Sequence, residues 1–266
     1  MSTHSEPLSR YLAMLPRNPA GGGMAPQSAI IWDALLNKQL AEKNLHGDMA
    51  EIGVFRGFGA CLMAGYLRKT ERLTLVDMMC GLDYSEEAIR EVAGTDVLGR
   101  ITFHQTDSMR LQRAGKLSTD REFRFFHIDG EHSYDAVMND LTMAADNIAP
   151  YGIVVVDDFF SPASPAITHA VFDYIGRPGS SLSLFLIGFN KAYLCFNRWL
   201  GFYRETTINL PQVLEGHGYL CQLAAGGFAF ERTYAGISNR ATDKQYQLIG
   251  SFIPDSNTYL SATNRY

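Results

Sequence analysis

The sequence predicts an α/β fold in which helices cover both faces of a mainly parallel β-sheet. From about residue 48, five short apolar runs alternate with helical stretches, a pattern typical of parallel strands joined by helices. The clearest helix is 133–147, whose apolar residues recur on one face. Farther along, the runs 182–187 and 192–196 flank a short turn at 188–191, which predicts an antiparallel hairpin.

The individual elements follow from the same patterns. The predicted strands are 49–53, 73–77, 101–104, 123–129 and 153–157. The predicted helices are 59–68, 85–92, a short piece near 108–114, 133–147 and 166–174. Residues 1–24 contain Pro16, Pro19 and a run of three glycines and predict a loosely ordered arm, followed by a short amphipathic helix at 30–35. Beyond 196, residues 199–214 are predicted to be partly helical, and 219–223 is predicted to pair with 228–233.

We interpret the chain as one domain with two additions. Residues 46–196 are the central α/β domain, and residues 1–45 are an N-terminal arm and helix that can act as a lid. Residues 197–266 are a C-terminal extension rich in aromatic residues. This extension is expected to cover a ligand pocket or to form an interface in a homo-oligomer, unless it simply packs onto its own domain.

The overall composition and charge of the chain limit the kinds of molecule that it is expected to bind. The 266 residues carry a net charge of −5, which argues against binding nucleic acid or an anionic membrane by overall charge. The four cysteines are scattered and predict free thiols. The chain has neither a stretch long enough to span a membrane nor a secretory signal pattern, so we expect a cytoplasmic protein with no membrane partner.

A glycine-containing loop follows the first predicted strand. The segment 51–59 reads Glu-Ile-Gly-Val-Phe-Arg-Gly-Phe-Gly, and the second strand ends at Asp77, which can accept ribose hydroxyls. The glycine spacing differs from that of a dinucleotide fingerprint, and Glu51 suits an ammonium group better than a pyrophosphate. S-adenosylmethionine has a ribose, an adenine and an ammonium group but no phosphate, and it fits this pattern. Asp107 and Ser108, after the third strand, are candidates for contact with the adenine.

Three acids stand at the ends of two other apolar runs. Asp157 and Asp158 end the run 152–156, and Asp129 ends the run 125–128. Carboxylates that gather at the edge of a sheet suggest a hard divalent cation such as Mg²⁺. His132 lies three residues after Asp129, and an imidazole can accept the proton of a hydroxyl near pH 7.

These motifs, in this order, resemble the class I S-adenosylmethionine-dependent methyltransferases. The resemblance rests on the loop 51–59, on Asp77, on Asp107 and Ser108, on the block 128–134 (Ile-Asp-Gly-Glu-His-Ser-Tyr) and on the acids at 157–158. It covers roughly residues 45–196. Within the class, the chain is most similar to metal-dependent O-methyltransferases of the macrocin and mycinamicin type, which methylate sugars.

The resemblance implies a Rossmann-like sheet of seven strands in which the strands ending at Asp129 and Asp157 are neighbours. It also implies transfer of a methyl group to a hydroxyl of a small molecule, such as a sugar of a natural product, with Mg²⁺ or another divalent cation bound. The implied metal ligands are Asp129, Asp157 and Asp158, and the implied general base is His132. The implied cofactor-binding residues are Glu51, Gly53, Phe55, Arg56, Gly57, Asp77, Asp107, Ser108 and Asp129.

Less specific interpretations stay open. The glycines can serve packing alone, Asp77 and Asp129 can cap the turns that follow them, and His132 can be a polar residue in the first turn of a helix. At the level of function, the alternatives are a binding module that holds S-adenosylmethionine without catalysis and a nicotinamide-dependent oxidoreductase. The glycine spacing argues against the oxidoreductase.

Overall fold

The computed structural model describes residues 5–17, 23–113, 117, 122–227 and 233–239. These residues form nine strands: β1 (Asp48–Ile52), β2 (Leu73–Asp77), β3 (Ile101–Gln105), β4 (Phe123–Ile128), β5 (Ile148–Val156), β6 (Leu182–Gly188), β7 (Lys191–Phe196), β8 (Cys221–Gly227) and β9 (Thr233–Asn239). They also form eight α-helices: α1 (Glu6–Met14), α2 (Pro26–Ala41), α3 (Phe58–Ala64), α4 (Asp83–Ala93), α5 (Ser108–Arg113), α6 (Tyr134–Asn147), α7 (Pro165–Gly176) and α8 (Leu200–Gly216). Short 3₁₀ turns lie at Leu15–Arg17, Thr95–Arg100 and Asn197–Trp199.

The strands form one sheet in the order β3-β2-β1-β4-β5-β7-β6-β9-β8. The first five strands of the chain pair in parallel, and β7 lies antiparallel between β5 and β6. The predicted parallel sheet and the hairpin at its C-terminal side are thus confirmed. The sheet has nine strands where seven were expected, because β9 adds to the edge of β6 and carries β8 with it.

Alternate side chains of the central strands point to opposite faces of the sheet, and each face has its own core. Phe125 of β4 packs against Trp32 of α2, with ring centroids 4.9 Å apart. The next residue, Phe126, belongs to the core on the other face, under α6 and α7. Because side chains alternate along a strand, a shift of one residue decides which face a side chain reaches.

The N-terminal segment is more ordered than the proline and glycine content predicted. Residues 6–14 form α1, which begins after Ser5, whose hydroxyl accepts the Leu8 amide at 3.3 Å. A proline in the first turn of a helix is tolerated because that N–H has no partner within the helix. Leu8 and Tyr11 are fully buried, so burial of this apolar face overrides the local signal for a loop. Residues 1–4 and 18–22 of the predicted arm lie outside the described residues.

The C-terminal extension packs onto the sheet. Tyr203 of α8 stacks on Phe185 of β6, with centroids 5.4 Å apart and planes 15° apart. The predicted pairing of 219–223 with 228–233 is displaced, since β8 spans Cys221–Gly227 and β9 spans Thr233–Asn239. Residues 228–232 lie outside the described residues. None of the helices described in these ranges combines the length and the apolar character needed to cross a bilayer.

Candidate active site

Two neighbouring parallel strands bring the predicted acids to one edge of the sheet. Ile128 of β4 pairs with Val156 of β5, so Asp129 and Asp157 follow residues that are already in register. The Asp157 amide donates to the Ile128 carbonyl oxygen over 2.9 Å, which continues the pairing up to the acids. The predicted adjacency of these two strands is therefore confirmed.

The acids and two histidines form two groups that share Asp129. The ligand atoms of His127, Asp129 and Asp157 lie within 4.8 Å of one another, as do those of Asp129, His132 and Asp158. Asp158 has a φ of 52°, and this left-handed conformation turns the chain directly after the strand. Both groups offer carboxylate oxygens and an imidazole nitrogen at a spacing that one cation can bridge.

The buried side of this site is a row of charged groups. Nδ1 of His127 lies 2.7 Å from Glu51 Oε1, and its Nε2 lies 3.5 Å from Asp157 Oδ2, which also contacts the Lys191 ammonium. Burial alone would lower the pKa of His127, but the carboxylates of Asp157 and Glu51 raise it to about 9. Burial likewise disfavours the Asp157 carboxylate, yet Lys191 and His127 hold its pKa well below the usual range. Burial and the nearby Asp157 charge raise the pKa of Asp129.

His132 lies on the accessible side of the same site. Its side chain is 44% exposed, and its Nε2 lies 3.3 Å from Asp158 Oδ2. The other ring nitrogen lies 3.0 Å from the Ser164 hydroxyl. Asn190 donates to Asp158 Oδ1 over 2.6 Å, so the carboxylate that faces His132 is itself held in place. A base oriented in this way can take a proton from a hydroxyl that enters the site.

Two clefts meet at Asp129. The larger, which we call the glycine-loop cleft, has a volume of about 510 Å³. It is lined by Ile52, Gly53, Phe55, Val76, Asp77, Met78, Met79, Cys80, Thr106, Asp107, Ser108, Asp129, Gly130, Glu131 and Ala136. The smaller, which we call the acid cleft, has a volume of about 340 Å³. It is lined by Gly23, Met24, Ala25, Asp129, Asp157, Asp158, Phe189, Asn190 and Lys191.

Gly53 allows β1 to approach β4 at the floor of the glycine-loop cleft. Its φ is +82°, and a Cβ at this position would lie 1.9 Å from the Asp129 carbonyl oxygen. Only glycine fits such a contact, so residue 53 must be glycine if β1 is to approach β4 this closely.

Asp77 shapes the wall of the same cleft. One of its oxygens accepts the amides of Val54 and Phe55, and the other accepts those of Met79 and Cys80, each at 2.8 Å. Partial burial opposes ionisation, but these four donors outweigh it and lower the pKa of Asp77. A carboxylate can accept about four hydrogen bonds. The ionised Asp77 side chain therefore uses its full acceptor capacity to hold the two loops together.

Three predicted cofactor-binding residues lie outside the described lining of the cleft. Glu51 is 2% exposed and faces His127, because alternation along β1 places it on the opposite side from Ile52. Gly57 packs against α4, where a Cβ would come within 2.3 Å of the Ser85 Cβ. The Arg56 guanidinium lies 5.5 Å from the centre of the Phe55 ring. As cofactor-binding residues, these three stay predictions.

Asp107 and Ser108 belong to the lining of the glycine-loop cleft, and a third polar residue lies behind them. Asp140 of α6 is 1% exposed, and its Oδ2 has no hydrogen-bond partner within the described chain. A Cβ on Gly130, in the wall of the cleft, would lie 3.4 Å from that oxygen. Burial, together with the charges of Asp107 and Glu131, raises the pKa of Asp140 to about 6. Asp140 could not be singled out from the sequence, where it is one acid within a helical pattern.

Replacing Asp140 by asparagine is expected to stabilise the protein above pH 6. Because the carboxyl has a higher pKa when folded than when unfolded, its contribution to stability is present below about pH 4 and is lost as the pH rises through about 6. The asparagine variant escapes this loss, so its free energy of unfolding at pH 8 should exceed that of the wild type by on the order of 1–3 kcal/mol. Urea unfolding of both proteins at pH 4.5 and pH 8 measures this difference. A difference that does not change with pH would contradict the assignment.

Lys191 and Asn190 are site residues that the sequence did not single out. Lys191 is the first residue of β7 and Asn190 directly precedes it, where the hairpin returns to the edge that carries the acids. They were predicted only as part of a turn, because their approach to Asp157 and Asp158 depends on the antiparallel placement of β7 beside β5. A lysine directly after a turn otherwise suggests an exposed residue.

Residues 50–159 match a family model described as a methyltransferase domain. The match begins in β1 and ends just beyond the two acids that follow β5, so it contains Gly53, Asp77, Asp129 and Asp157. No curated protein matches the chain in sequence.

Solved structures share the fold at low sequence identity. The O-methyltransferase TomG of Streptomyces achromogenes, involved in tomaymycin synthesis and solved with SAM, is 18% identical, with a TM-score of 0.51 over 72% of this chain and 89% of its own. The O-methyltransferase of Bacillus cereus solved with SAH is 13% identical, with a TM-score of 0.53 over 73% and 91%. The SAH-bound methyltransferase PaMTH1 of Podospora anserina is 14% identical, with a TM-score of 0.51 over 73% and 88%. Residues 50–159 thus match a methyltransferase-domain model, and the described chain shares the Rossmann-like α/β fold of these solved structures.

Proposed function

We propose that this protein is an S-adenosylmethionine-dependent O-methyltransferase that uses a divalent cation to bind a small hydroxylated acceptor. The observation that carries the proposal is the meeting of two clefts at Asp129. One cleft has the glycine floor expected for a cofactor, and the other gathers three carboxylates. At this junction a methyl donor in one cleft and a metal-bound hydroxyl in the other can come together.

The glycine-loop cleft fits the methyl donor. Its volume of about 510 Å³ lies within the usual range for small-ligand sites. Gly53 lets the chain pack closely on the Asp129 backbone at the floor of this cleft, and Asp107 and Ser108 supply polar groups to its lining. TomG was solved with SAM and the Bacillus cereus enzyme with SAH, which supports the same ligand for this chain.

The acids fit a divalent cation such as Mg²⁺. We assign Asp129, Asp157 and Asp158 as its ligands, because carboxylate oxygens are the donors that Mg²⁺ prefers and Asp129 lies within bridging distance of each of the other two acids. When bound, the ion would lower the pKa of a coordinated hydroxyl and fix its position. His132 then accepts the hydroxyl proton, while Asp158 and Ser164 keep the imidazole oriented.

The acceptor is proposed to be a compact molecule with neighbouring hydroxyls, such as a sugar of a natural product. Two adjacent hydroxyls can chelate one ion, and the acid cleft, at about 340 Å³, admits a molecule of roughly monosaccharide size. This assignment agrees with the resemblance to the macrocin and mycinamicin type of enzyme.

Two measurements test the proposal directly. Calorimetric titration with S-adenosylhomocysteine should show saturable binding, and NAD should show none. Incubation with S-adenosylmethionine, Mg²⁺ and a panel of vicinal diols, including monosaccharides and catechol, should then give a product 14 mass units heavier. Binding of NAD in preference to S-adenosylhomocysteine would overturn the proposal, and cofactor binding without any product would favour a non-catalytic binding module.

Asp158→Asn provides the test of the metal role. Loss of one ligand charge should lower kcat by about 100-fold or more, because Lewis-acid assistance contributes several kcal/mol. Affinity for S-adenosylhomocysteine should stay within twofold, since Asp158 lies outside the described lining of the glycine-loop cleft. Asp173→Asn is the matched control, because this half-exposed acid pairs only with surface groups such as His169. Full activity of the Asp158 variant, or of the wild type in excess chelator, would exclude the metal role.

A further inference from the structure

A buried lysine occupies the place beside the acids where a cation is expected. Lys191 is 2% exposed, and its ammonium contacts Oδ2 of Asp157. The same nitrogen lies 5.7 Å from the centre of the Trp32 ring. A buried ammonium is costly unless it is paired, so this lysine is held here by the charge of Asp157 and by the aromatic face.

The carboxylate of Asp157 has little capacity left for another partner. Its Oδ1 accepts the Asp158 amide at 2.8 Å, and its Oδ2 contacts Lys191 and lies 3.5 Å from His127 Nε2. The same carboxylate belongs to the buried group of possible metal ligands with His127 and Asp129. A divalent ion that binds Asp157 must therefore share or displace the lysine.

The formal charges are consistent with such a shared site. Asp129, Asp157 and Asp158 contribute −3 when ionised, Lys191 contributes +1, and the contacting pair of His127 and Glu51 contributes +1 and −1 when both are ionised, which leaves −2. A single divalent cation balances this charge. Without the lysine, the three carboxylates would repel one another in a metal-free protein and would attract a cation more strongly.

We propose that Lys191 is a resident cation that competes with the divalent ion for Asp157 and keeps the ligand carboxylates positioned when the metal is absent. The proposal rests on the metal role in the proposed function. Lys191 is thereby a positioning residue. Its charge weakens binding of the metal, and it allows the site to fold when no metal is bound.

Metal affinity and stability of a Lys191→Met variant test this proposal. Methionine keeps most of the side-chain length and removes the charge. Titration with Mn²⁺, followed by the electron paramagnetic resonance signal of the free ion, should show binding at least about tenfold tighter than in the wild type. In chelator the variant should melt several degrees lower, and saturating Mn²⁺ should restore the loss. Lys38→Met is the matched control, since Lys38 lies over the Phe202 ring away from the acids.

The wild-type protein provides a second measurement that does not depend on the folding of the variant. If the ion displaces the ammonium, acetylation of Lys191 by an activated ester, followed by peptide mass spectrometry, should increase severalfold at saturating Mn²⁺. Acetylation of Lys38 should stay constant.

Three outcomes would overturn the proposal: equal Mn²⁺ affinity in the variant and the wild type, weaker affinity in the variant, or unchanged acetylation of Lys191. If neither protein binds Mn²⁺, both the competition and the metal role fail. Product formation in the methyl-transfer assay still tests the transferase activity separately.

Discussion

Replacing His132 by alanine is expected to lower kcat by about 10²- to 10⁴-fold, the usual contribution of a general base. The imidazole is the group in the site that is both accessible and oriented through its two nitrogens, by Asp158 and Ser164. Its side chain is 44% exposed, so truncation should leave folding intact. Initial rates with saturating S-adenosylmethionine and acceptor measure the effect, and the calorimetric affinity for S-adenosylhomocysteine shows whether the cofactor site is preserved.

His169→Ala is the control for that experiment. His169 is 69% exposed and lies near Asp173 on α7, so its loss should change kcat by less than about twofold, as is usual for surface substitutions. If the His132 variant retains wild-type turnover, the proton must be taken by another group or by solvent, and the assignment of the base would be wrong.

Gly53→Ala is expected to have the largest effect on stability. The positive φ costs a non-glycine residue about 1–3 kcal/mol, and forcing a methyl group into a closed contact adds about 1–3 kcal/mol more. Here the added Cβ would lie 1.9 Å from the Asp129 carbonyl oxygen, which is backbone and cannot rotate away. Chemical denaturation should report the summed loss, and affinity for S-adenosylhomocysteine should fall because β1 and β4 are forced apart.

Gly94→Ala separates the two contributions. Gly94 has nearly the same φ, +88°, but a Cβ there meets no atom within 4 Å among the described residues. Its variant should therefore lose only the backbone cost and should bind the cofactor normally. Equal destabilisation of the two variants would show that the close approach of β1 to β4 contributes nothing.

The sequence was most informative where a local pattern determines the structure. The strand 73–77 was predicted to the residue because an apolar run between polar segments has few alternatives. The meeting of Asp129 and Asp157 could also be predicted, because parallel strands end at the same edge of the sheet.

What could not be predicted depends on contacts between distant parts of the chain. Glu51 was assigned to the cofactor because it precedes the glycine loop, but the face of β1 that it occupies is set by alternation relative to the buried core. Lys191 approaches Asp157 only through the antiparallel placement of β7. The N-terminal helix is stabilised by burial of Leu8 and Tyr11. A prediction based on the prolines and glycines of this segment does not take that burial into account.

The turn that precedes β7 determines which side chains of β7 reach the site. Phe189 and Asn190 both have positive φ, 51° and 68°, as in the tight two-residue turns that fix the register of a hairpin. The Phe189 carbonyl oxygen accepts the Ser28 hydroxyl at 3.0 Å, and the Asn190 carbonyl oxygen accepts the Phe159 amide at 3.1 Å, so the turn is anchored on both sides. An insertion of a single residue here would rotate every side chain of β7 to the other face and carry Lys191 away from Asp157. A change in the length of this turn is therefore expected to remove the contact between Lys191 and Asp157, whereas a substitution that leaves the length unchanged preserves the register of the hairpin.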